Sequence, residues 1–367
     1  GQPSQKITNY QITCELNDHT LSGKQSVTFY NGTDLTFNEL KFNLFGNAFR
    51  EGAVYSPISS QYVNRAYPNG LSYGDLKIES VKIDEKAVDF SIGGVDSNIL
   101  IVPLNQEIFP EEKVVVDIDY TLNLANVIAR TGYNDYTINL ANFYPSLCGI
   151  DKDGFYECVY YSIGDPYYSD VASYNVTFTC DQKYVVASSG QKVSKITQGQ
   201  MSTYNYTLDC ARDFTFVLSP NFKVKTDLST GVEINYYYYN DEEVDSSINY
   251  AVQSINLFSQ KFGKYPYKSL AVVQTQFVQG GMEFPALVMI SDDLTGASYG
   301  EVIVHETAHQ WWQSAVGSNE VEYGFLDEGL SEYSVILFYE NYPDYSYTRQ
   351  GLIKASEDTY KLFCSVY

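Results

Sequence analysis

Two histidines four residues apart constrain the fold of this chain more than any other feature of its sequence. They are His305 and His309, in the segment HETAHQWW. Residues four apart project from the same face of an α-helix, so on a helix both imidazoles can reach one metal ion. The chain has only 3 histidines, and two lie in this motif. This favours a metal site over a solvated helix face, whereas His19, in a polar turn far upstream, is interpreted as a surface residue.

A third ligand is expected downstream, because catalytic zinc takes three protein ligands and keeps a fourth position open. Glu328, in the segment LDEGLSEY, follows His309 after 18 intervening residues, at the start of another helical pattern. A second helix packed back on the first would present this carboxylate to the metal. Glu306 is the predicted catalytic base, and Asp327 and Glu332 are candidates for orienting the imidazoles. The prediction is one Zn²⁺ per chain.

The sequence up to about residue 220 has the pattern of an all-β domain. Short alternating or apolar runs, such as 26–30 and 174–179, are separated by turn clusters rich in Gly, Asn and Asp. Tyrosine, with 35 residues in the chain, suits strands because aromatic side chains pack well on a pleated surface. We therefore predict an antiparallel β domain of two stacked sheets over residues 1–220.

Residues 221–367 have a different pattern, typical of a mixed α/β domain. Apolar residues recur at helical spacing over 242–262, and Gly263 ends that helix. Strands are predicted at 270–278 and 286–291, on either side of a Gly-Gly turn. From about Tyr299 onward the chain is expected to be mostly helical.

Charge and composition exclude some classes of function. The 45 acidic residues exceed the 23 basic ones, for a formal net charge of −22. A field of that sign repels phosphate backbones, so no nucleic-acid partner is expected. No run approaches the roughly 20 apolar residues that cross a bilayer, and no signal peptide is recognisable. The native location is left open, although the tyrosine and cysteine content favours an extracellular or cell-envelope protein.

The six cysteines argue against a cysteine-bound zinc, because no two are spaced as CxxC. Cys148 with Cys158, or Cys180 with Cys210, could form disulfides across hairpins in an oxidising compartment. The alternative is that these thiols are buried and free.

HETAHQWW followed by LDEGLSEY at this spacing resembles the zinc aminopeptidase family, the gluzincins of alanyl aminopeptidase and leukotriene hydrolase type. The resemblance implies a β-sandwich or saddle domain followed by a thermolysin-like catalytic domain. It also implies an aminopeptidase that uses metal-activated water on peptides with a free N-terminus. The family's Gly-x-Met-Glu-Asn motif is matched by Gly280, Gly281, Met282, Glu283 and Phe284. It implies that Gly280, Gly281, Met282 and Glu283 bind substrate, with Glu283 holding the ammonium group by charge-assisted hydrogen bonds.

Three departures from the family pattern stand out. Phe284 replaces the family's asparagine. The family's second contact to the amine, from the β domain, is not obvious, and Asn139 and Asn142 are the candidates. The family's transition-state tyrosine lies well beyond the third ligand, and Tyr360 and Tyr367 are too close to Glu328 to match it. The chain therefore resembles a fragment without that tyrosine and without the helical C-terminal domain, and we expect it to bind zinc with poor or no turnover.

Two alternatives to the aminopeptidase remain at this point. A zinc endopeptidase would use the same metal site, and Glu283 is the feature that argues against it. A non-catalytic peptide-binding or adhesion protein could keep a peptidase-like fold, and the absent tyrosine favours that interpretation. The complete metal triad with an intact Glu306 argues against it.

Overall fold

The computed structural model describes residues 6–162, 164–317, 319, 324–345, 350–355 and 357–358. The chain up to residue 219, called the β region here, is built mainly of strands. These are β1 Thr8–Asn17, β2 Thr20–Tyr30, β3 Phe37–Asn43, β4 Asp75–Ile83, β5 Lys86–Ala87, β6 Ser91–Gly93, β7 Ile99–Ile108, β8 Lys113–Asn123, β9 Thr131–Tyr133, β10 Ile138–Leu140, β11 Ser146–Leu147, β12 Ile150–Asp151, β13 Gly154–Phe155, β14 Ala172–Asp181, β15 Val185–Ser188, β16 Gln191–Gln198, β17 Met201–Ala211 and β18 Phe216–Ser219.

An eight-stranded sheet in the order β16-β17-β14-β1-β2-β8-β4-β5 forms the body of the β region. Two four-stranded sheets, β15-β18-β10-β9 and β11-β3-β7-β6, accompany it. Buried and exposed residues alternate along β1 and β2, as expected for strands with one face on a core. The pairing is antiparallel except between β1 and β14, where Tyr10 lies opposite Tyr174 in parallel register. The long connection between these two strands does not require a hairpin, so the antiparallel prediction fails for this pair.

The chain from residue 223 onward, called the α/β region, carries a five-stranded sheet in the order β19-β20-β21-β23-β22, packed with helices. Its strands are β19 Lys223–Asp227, β20 Glu233–Tyr238, β21 Ser269–Thr275, β22 Gly281–Phe284 and β23 Leu287–Ser291. Its helices are α2 Val244–Phe262, α3 Gly296–His309, a π-helical segment Gln310–Val316 and α4 Phe325–Asn341. In the β region the helical turns are α1 Val63–Ala66 and the 3-10 segments Phe45–Phe49 and Ser60–Tyr62.

The structure confirms the mixed α/β prediction and corrects it at one strand. The helix predicted over 242–262 is α2, and Gly263 follows it with φ of +108°. The Gly-Gly turn, however, leads into a strand of its own, β22, which pairs with β23 at the edge of the sheet. Only Gly280 of the two glycines has the left-handed backbone of a turn, with φ of +89°. Met282 and Phe284 are buried, and this apolar alternation explains why a strand forms there.

A continuous apolar core joins the two regions, running from Tyr10 in β1 to Phe338 in α4. The boundary near residue 220 therefore stays a prediction. Helix α3 packs between α2 and α4 and against β22 and β23. Among the residues that the structure describes, no helix is both long and apolar enough to cross a membrane.

The five cysteines in the described part of the chain are free thiols, which decides between the two alternatives that the sequence left open; all but Cys210 are buried. Cys180 lies opposite Ser202 in the β14–β17 pair, and Cys210 is eight residues further along β17. That separation is far beyond the reach of a disulfide. Cys148 and Cys158 are both buried. Cys364 lies outside the described residues, as do Tyr360 and Tyr367.

The approach of α3 to α2 yields a test of the packing. A Cβ atom at Gly300 in α3 would lie 2.2 Å from the Tyr250 ring of α2, whereas one at Gly329 in α4 would meet nothing within 4 Å. We expect Gly300→Ala to lower the free energy of unfolding by about 1–3 kcal/mol through overpacking. Gly329→Ala, the matched control, should raise it by up to about 1 kcal/mol through helix propensity. Urea unfolding measures both, and equal effects of the two substitutions would contradict this packing.

Candidate metal centre

Helix α3 brings the two histidines together at its C-terminal end. His309 is its last residue, and its Nε2 atom lies 3.1 Å from Nε2 of His305. The side chain of His309 is fully buried, and that of His305 is 17% exposed. The helix presents both rings because residues four apart share one face. Both imidazoles thus point one nitrogen at a common position.

Glu328, in the first turn of α4, completes a triangle of potential ligand atoms with His305 and His309. Its Oε2 atom is 3.4 Å from His305 Nε2, and its Oε1 atom is 3.5 Å from His309 Nε2. Zinc held tetrahedrally at about 2.0–2.1 Å by nitrogen and oxygen would separate its ligand atoms by roughly 3.3 Å. The observed separations are close to that value, and the donor set of two imidazoles and one carboxylate suits Zn²⁺. The three predicted ligands therefore fit the predicted metal in both chemistry and spacing.

Carboxylates face the other nitrogen of each imidazole. Glu332 Oε1 lies 3.1 Å from Nδ1 of His305, and Asp327 Oδ2 lies 3.4 Å from Nδ1 of His309. Such partners fix the ring orientation of metal-binding histidines and raise their basicity. Both residues therefore lie where the sequence predicted imidazole-orienting groups.

The electrostatics of the cluster favour a positive charge at its centre. Burial lowers the pKa of His305, but hydrogen bonds to Glu328 and Glu332 outweigh it and raise that pKa to about 10. Burial raises the pKa of Glu328, yet the two imidazoles hold it well below its usual range. In a site that stabilises protons so strongly, a divalent cation can take their place, since metal binding displaces protons from its ligands.

Glu306 lies beside the triangle but is not part of it. It is buried, and burial raises the pKa of its carboxyl group. Its Oε1 atom lies against the backbone of Gly281, where a Cβ atom would come within 2.2 Å of it. Its Oε2 atom is buried and has no hydrogen-bond partner in the described part of the chain. An unengaged acceptor with a raised pKa beside a metal site has the properties of a general base.

Glu283 approaches the same cluster from strand β22. Its carboxylate is 4% exposed, and Oε1 lies 3.9 Å from Nδ1 of His309. Met282 and Phe284 are buried in an apolar cluster, so the alternation along the strand turns Glu283 to the other face. Glu283 is therefore a buried residue beside the histidine pair and not a surface glutamate.

The β region holds the loop that leads into β22. Asn139 Nδ2 donates hydrogen bonds to the carbonyl oxygens of Ala129 (2.8 Å) and Gln276 (3.3 Å), and its Oδ1 accepts one from Thr275. Thr137 and Thr275 share a further hydroxyl contact of 2.7 Å. Asn139 is therefore a structural residue that fixes the loop.

Asn142 is in a different position, because it lines a cavity of about 30 Å³ together with Glu283 and Met282. It is 3% exposed, with a left-handed backbone at φ of +50°. Its Nδ2 donates to Asp213 Oδ2 at 2.9 Å, while its Oδ1 is buried without a partner among the described residues. Burial raises the pKa of Asp213 to about 7, although its hydrogen bonds oppose this. Of the two asparagines suggested by the sequence, only Asn142 lines this cavity.

Comparison with a model of the Peptidase family M1 domain gives a match over residues 246–362, which includes the metal ligands and Glu306. This segment is therefore similar to a peptidase family M1 domain. The family resemblance stated from the motifs is thereby confirmed for this part of the chain.

Several solved structures with this fold are M1 zinc metallopeptidases. The enzyme from Deinococcus radiodurans superposes with a TM-score of 0.66 at 15% identity, covering 92% of this chain and 71% of that chain. A point mutant of a two-domain M1 zinc metallopeptidase, bound to L-arginine, gives 0.67 at 16%, covering 99% and 75%. A point mutant of the D. radiodurans enzyme, bound to a Tyr-Ser-Ala substrate, gives 0.64 at 16%, with the same coverage. These matches confirm the predicted order of a β region followed by an α/β region.

The metal centre yields a direct binding test. We expect His309→Ala and Glu328→Gln to abolish stoichiometric zinc binding, because each removes one corner of the triangle. Asp327→Asn should weaken it about 10–100-fold by leaving one imidazole unsupported. His19→Ala, at a ring stacked on Tyr133, is the matched control and should bind zinc normally. Competition with a chromophoric chelator measures these affinities, and unchanged binding in His309→Ala would place the metal elsewhere.

Proposed function

We propose that this chain is the metal-binding and amine-binding part of a zinc aminopeptidase, acting on the first peptide bond of peptides with a free N-terminus. The observation that carries the proposal is the asymmetry of the cleft. Glu283 is 4% exposed and stands at its closed side, whereas Glu328, on α4, is 52% exposed. A peptide can therefore extend on the α4 side, but its amino end meets a buried carboxylate.

Each residue has a distinct task in this reaction. Zinc bound by His305, His309 and Glu328 would supply Lewis acidity and lower the pKa of water. Glu306 takes a proton from the attacking water and delivers it to the leaving amine. Its raised pKa suits both steps, because the same carboxyl group must accept and then donate. Asp327 and Glu332 keep the imidazoles oriented.

Recognition of the amine is assigned to Glu283 and Asn142. The Glu283 carboxylate accepts charge-assisted hydrogen bonds from the ammonium group. Asn142 lines the same cavity as Glu283, and its side chain is held by the hydrogen bond from Nδ2 to Asp213, while its Oδ1 has no hydrogen-bond partner among the described residues. Strand β22 lies at the edge of its sheet, so its backbone can pair with an extended peptide. Two acceptors at a fixed distance from the metal define which peptide bond is presented.

The M1 neighbours bound to L-arginine and to a Tyr-Ser-Ala substrate support a site for amino acids and short peptides. The net charge of −22 agrees with a cationic group on the ligand. The binding-protein alternative is disfavoured by Glu306, which is buried beside the metal ligands with an Oε2 atom that has no hydrogen-bond partner among the described residues.

The experiment compares free and blocked amines on the zinc-loaded chain. Alanine anilide and N-acetylalanine anilide test hydrolysis, and the two corresponding hydroxamates, which bind zinc themselves, test binding without turnover. We define the amine preference as the ratio of the free-amine compound to its acetylated counterpart, in hydrolysis rate for the anilides and in binding affinity for the hydroxamates. We expect the wild type to prefer the free amine by at least about tenfold. Glu283→Gln should lower this preference by about one to two orders of magnitude. Glu306→Gln should lose hydrolysis of the anilides but keep binding of the hydroxamates.

Glu233→Gln, at an exposed residue that begins strand β20 of the same sheet, is the matched control and should behave as the wild type. Equal cleavage of both anilides would instead establish an endopeptidase. An amine preference near one in both assays would contradict the role given to Glu283.

A further inference from the structure

Gln310 directly follows the metal ligand His309 and connects it to the strand that carries Glu283. It is fully buried at the start of the π-helical segment. Its Oε1 accepts a hydrogen bond from the backbone N–H of Ala286 at 2.8 Å, and its Nε2 donates to the carbonyl oxygen of Phe284 at 3.1 Å. Both backbone groups belong to the turn between β22 and β23, and Phe284 is the residue after Glu283.

That turn needs external support, because Ala286 adopts a left-handed backbone with φ of +59°. Such a conformation is costly for a residue with a side chain and persists where its surroundings determine it. Here the carbonyl oxygen of Ala286 accepts from the backbone N–H of Ala271 in β21 at 2.9 Å, and its own N–H donates to Gln310. The turn is thus fixed on one side by the sheet and on the other by the residue next to the metal ligand.

The next two residues make comparable contacts to other elements. Trp311 Nε1 donates to the carbonyl oxygen of Gly263 at the end of α2, at 2.8 Å. Trp312 Nε1 donates to Ser334 Oγ on α4 at 2.9 Å. Of these three side chains, it is Gln310 that hydrogen-bonds to the β22–β23 turn. A change at Gln310 therefore acts on the Glu283 strand, while the contacts of Trp312 to the helix that bears Glu328 remain.

We propose that Gln310 is the positioning residue that sets the distance between the metal ligands and Glu283, and thereby confines hydrolysis to the first peptide bond. This inference rests on the proposed function. The distance from the amine anchor to the metal decides which carbonyl carbon faces the water, and a displacement of about 1 Å can cost about a hundredfold in rate. The two hydrogen bonds of one rigid amide group hold that distance without contacting substrate.

The test is Gln310→Met in the full chain, which keeps the side-chain length but removes both hydrogen bonds. We expect the amine preference, measured with the anilides and the hydroxamates, to fall by about ten- to a hundredfold. Zinc content, and the hydrolysis rate and binding affinity of the acetylated compounds, should stay within about twofold of the wild type. Gln310→Asn, which retains the amide but shortens its reach, should lower the preference in the same direction and serves if the Met variant does not fold.

Gln274→Met is the matched control. Gln274 is also a buried amide that clamps backbone, accepting from the N–H groups of Tyr239 and Asn240 and donating to the carbonyl oxygen of Asn240. Its loss should lower the melting temperature as much as the loss of Gln310 does, with the amine preference unchanged. A purely structural role for Gln310 would give this same result.

A double-mutant cycle separates the possible outcomes. If Gln310 acts through Glu283, Gln310→Met has no further effect on the preference once Glu283→Gln is present. A wild-type preference near one overturns the proposed function and this inference with it. A large wild-type preference that Gln310→Met and Gln310→Asn leave unchanged, or equal losses on free and acetylated compounds, overturns the inference alone.

Discussion

The burial of His309 among carboxylates is the constraint on which the rest of the site depends. Its imidazole is fully buried, with Asp327 and Glu283 on its Nδ1 side and Glu328 on its Nε2 side. Desolvated carboxylates this close to one another repel unless a positive charge compensates them. The packing of α3 against α2, α4, β22 and β23 holds these groups together despite their repulsion. A divalent cation at the centre of the triangle would offset this repulsion. Such a cation would take the place of the protons that the carboxylates otherwise favour on His305 and His309.

The two sides of the metal centre differ in exposure, and this difference underlies the proposed specificity. The Glu283 side is formed by a sheet edge, by the supported turn at Ala286 and by the β region, so an amine anchor there has little freedom. The α4 side is open, with Glu332 45% exposed. Pre-organised acceptors on the closed side and access on the open side suit a substrate that is held by one end.

Much of this site could be predicted from sequence because it is encoded locally. The spacing of His305 and His309 requires only helix geometry, and the later Glu328 requires only that a second helix packs back on the first. What could not be predicted depends on tertiary contacts. The choice of Asn142 over Asn139, the strand β22 where a turn was expected, and the clamp made by Gln310 all involve residues that are distant in sequence. The question of disulfides, which the sequence left open, also depends on tertiary contacts: the register of β14 and β17 keeps Cys180 and Cys210 apart.

Zinc K-edge X-ray absorption of the loaded chain tests the central claim most directly, because it reports the donor atoms themselves. The account predicts two imidazole nitrogens and additional oxygen donors at about 2.0–2.2 Å, with no sulfur shell. One nitrogen should be lost in His305→Ala. A sulfur shell at about 2.3 Å, or a spectrum with imidazole scattering that is unchanged by that substitution, would show that the metal is bound elsewhere and would contradict the account.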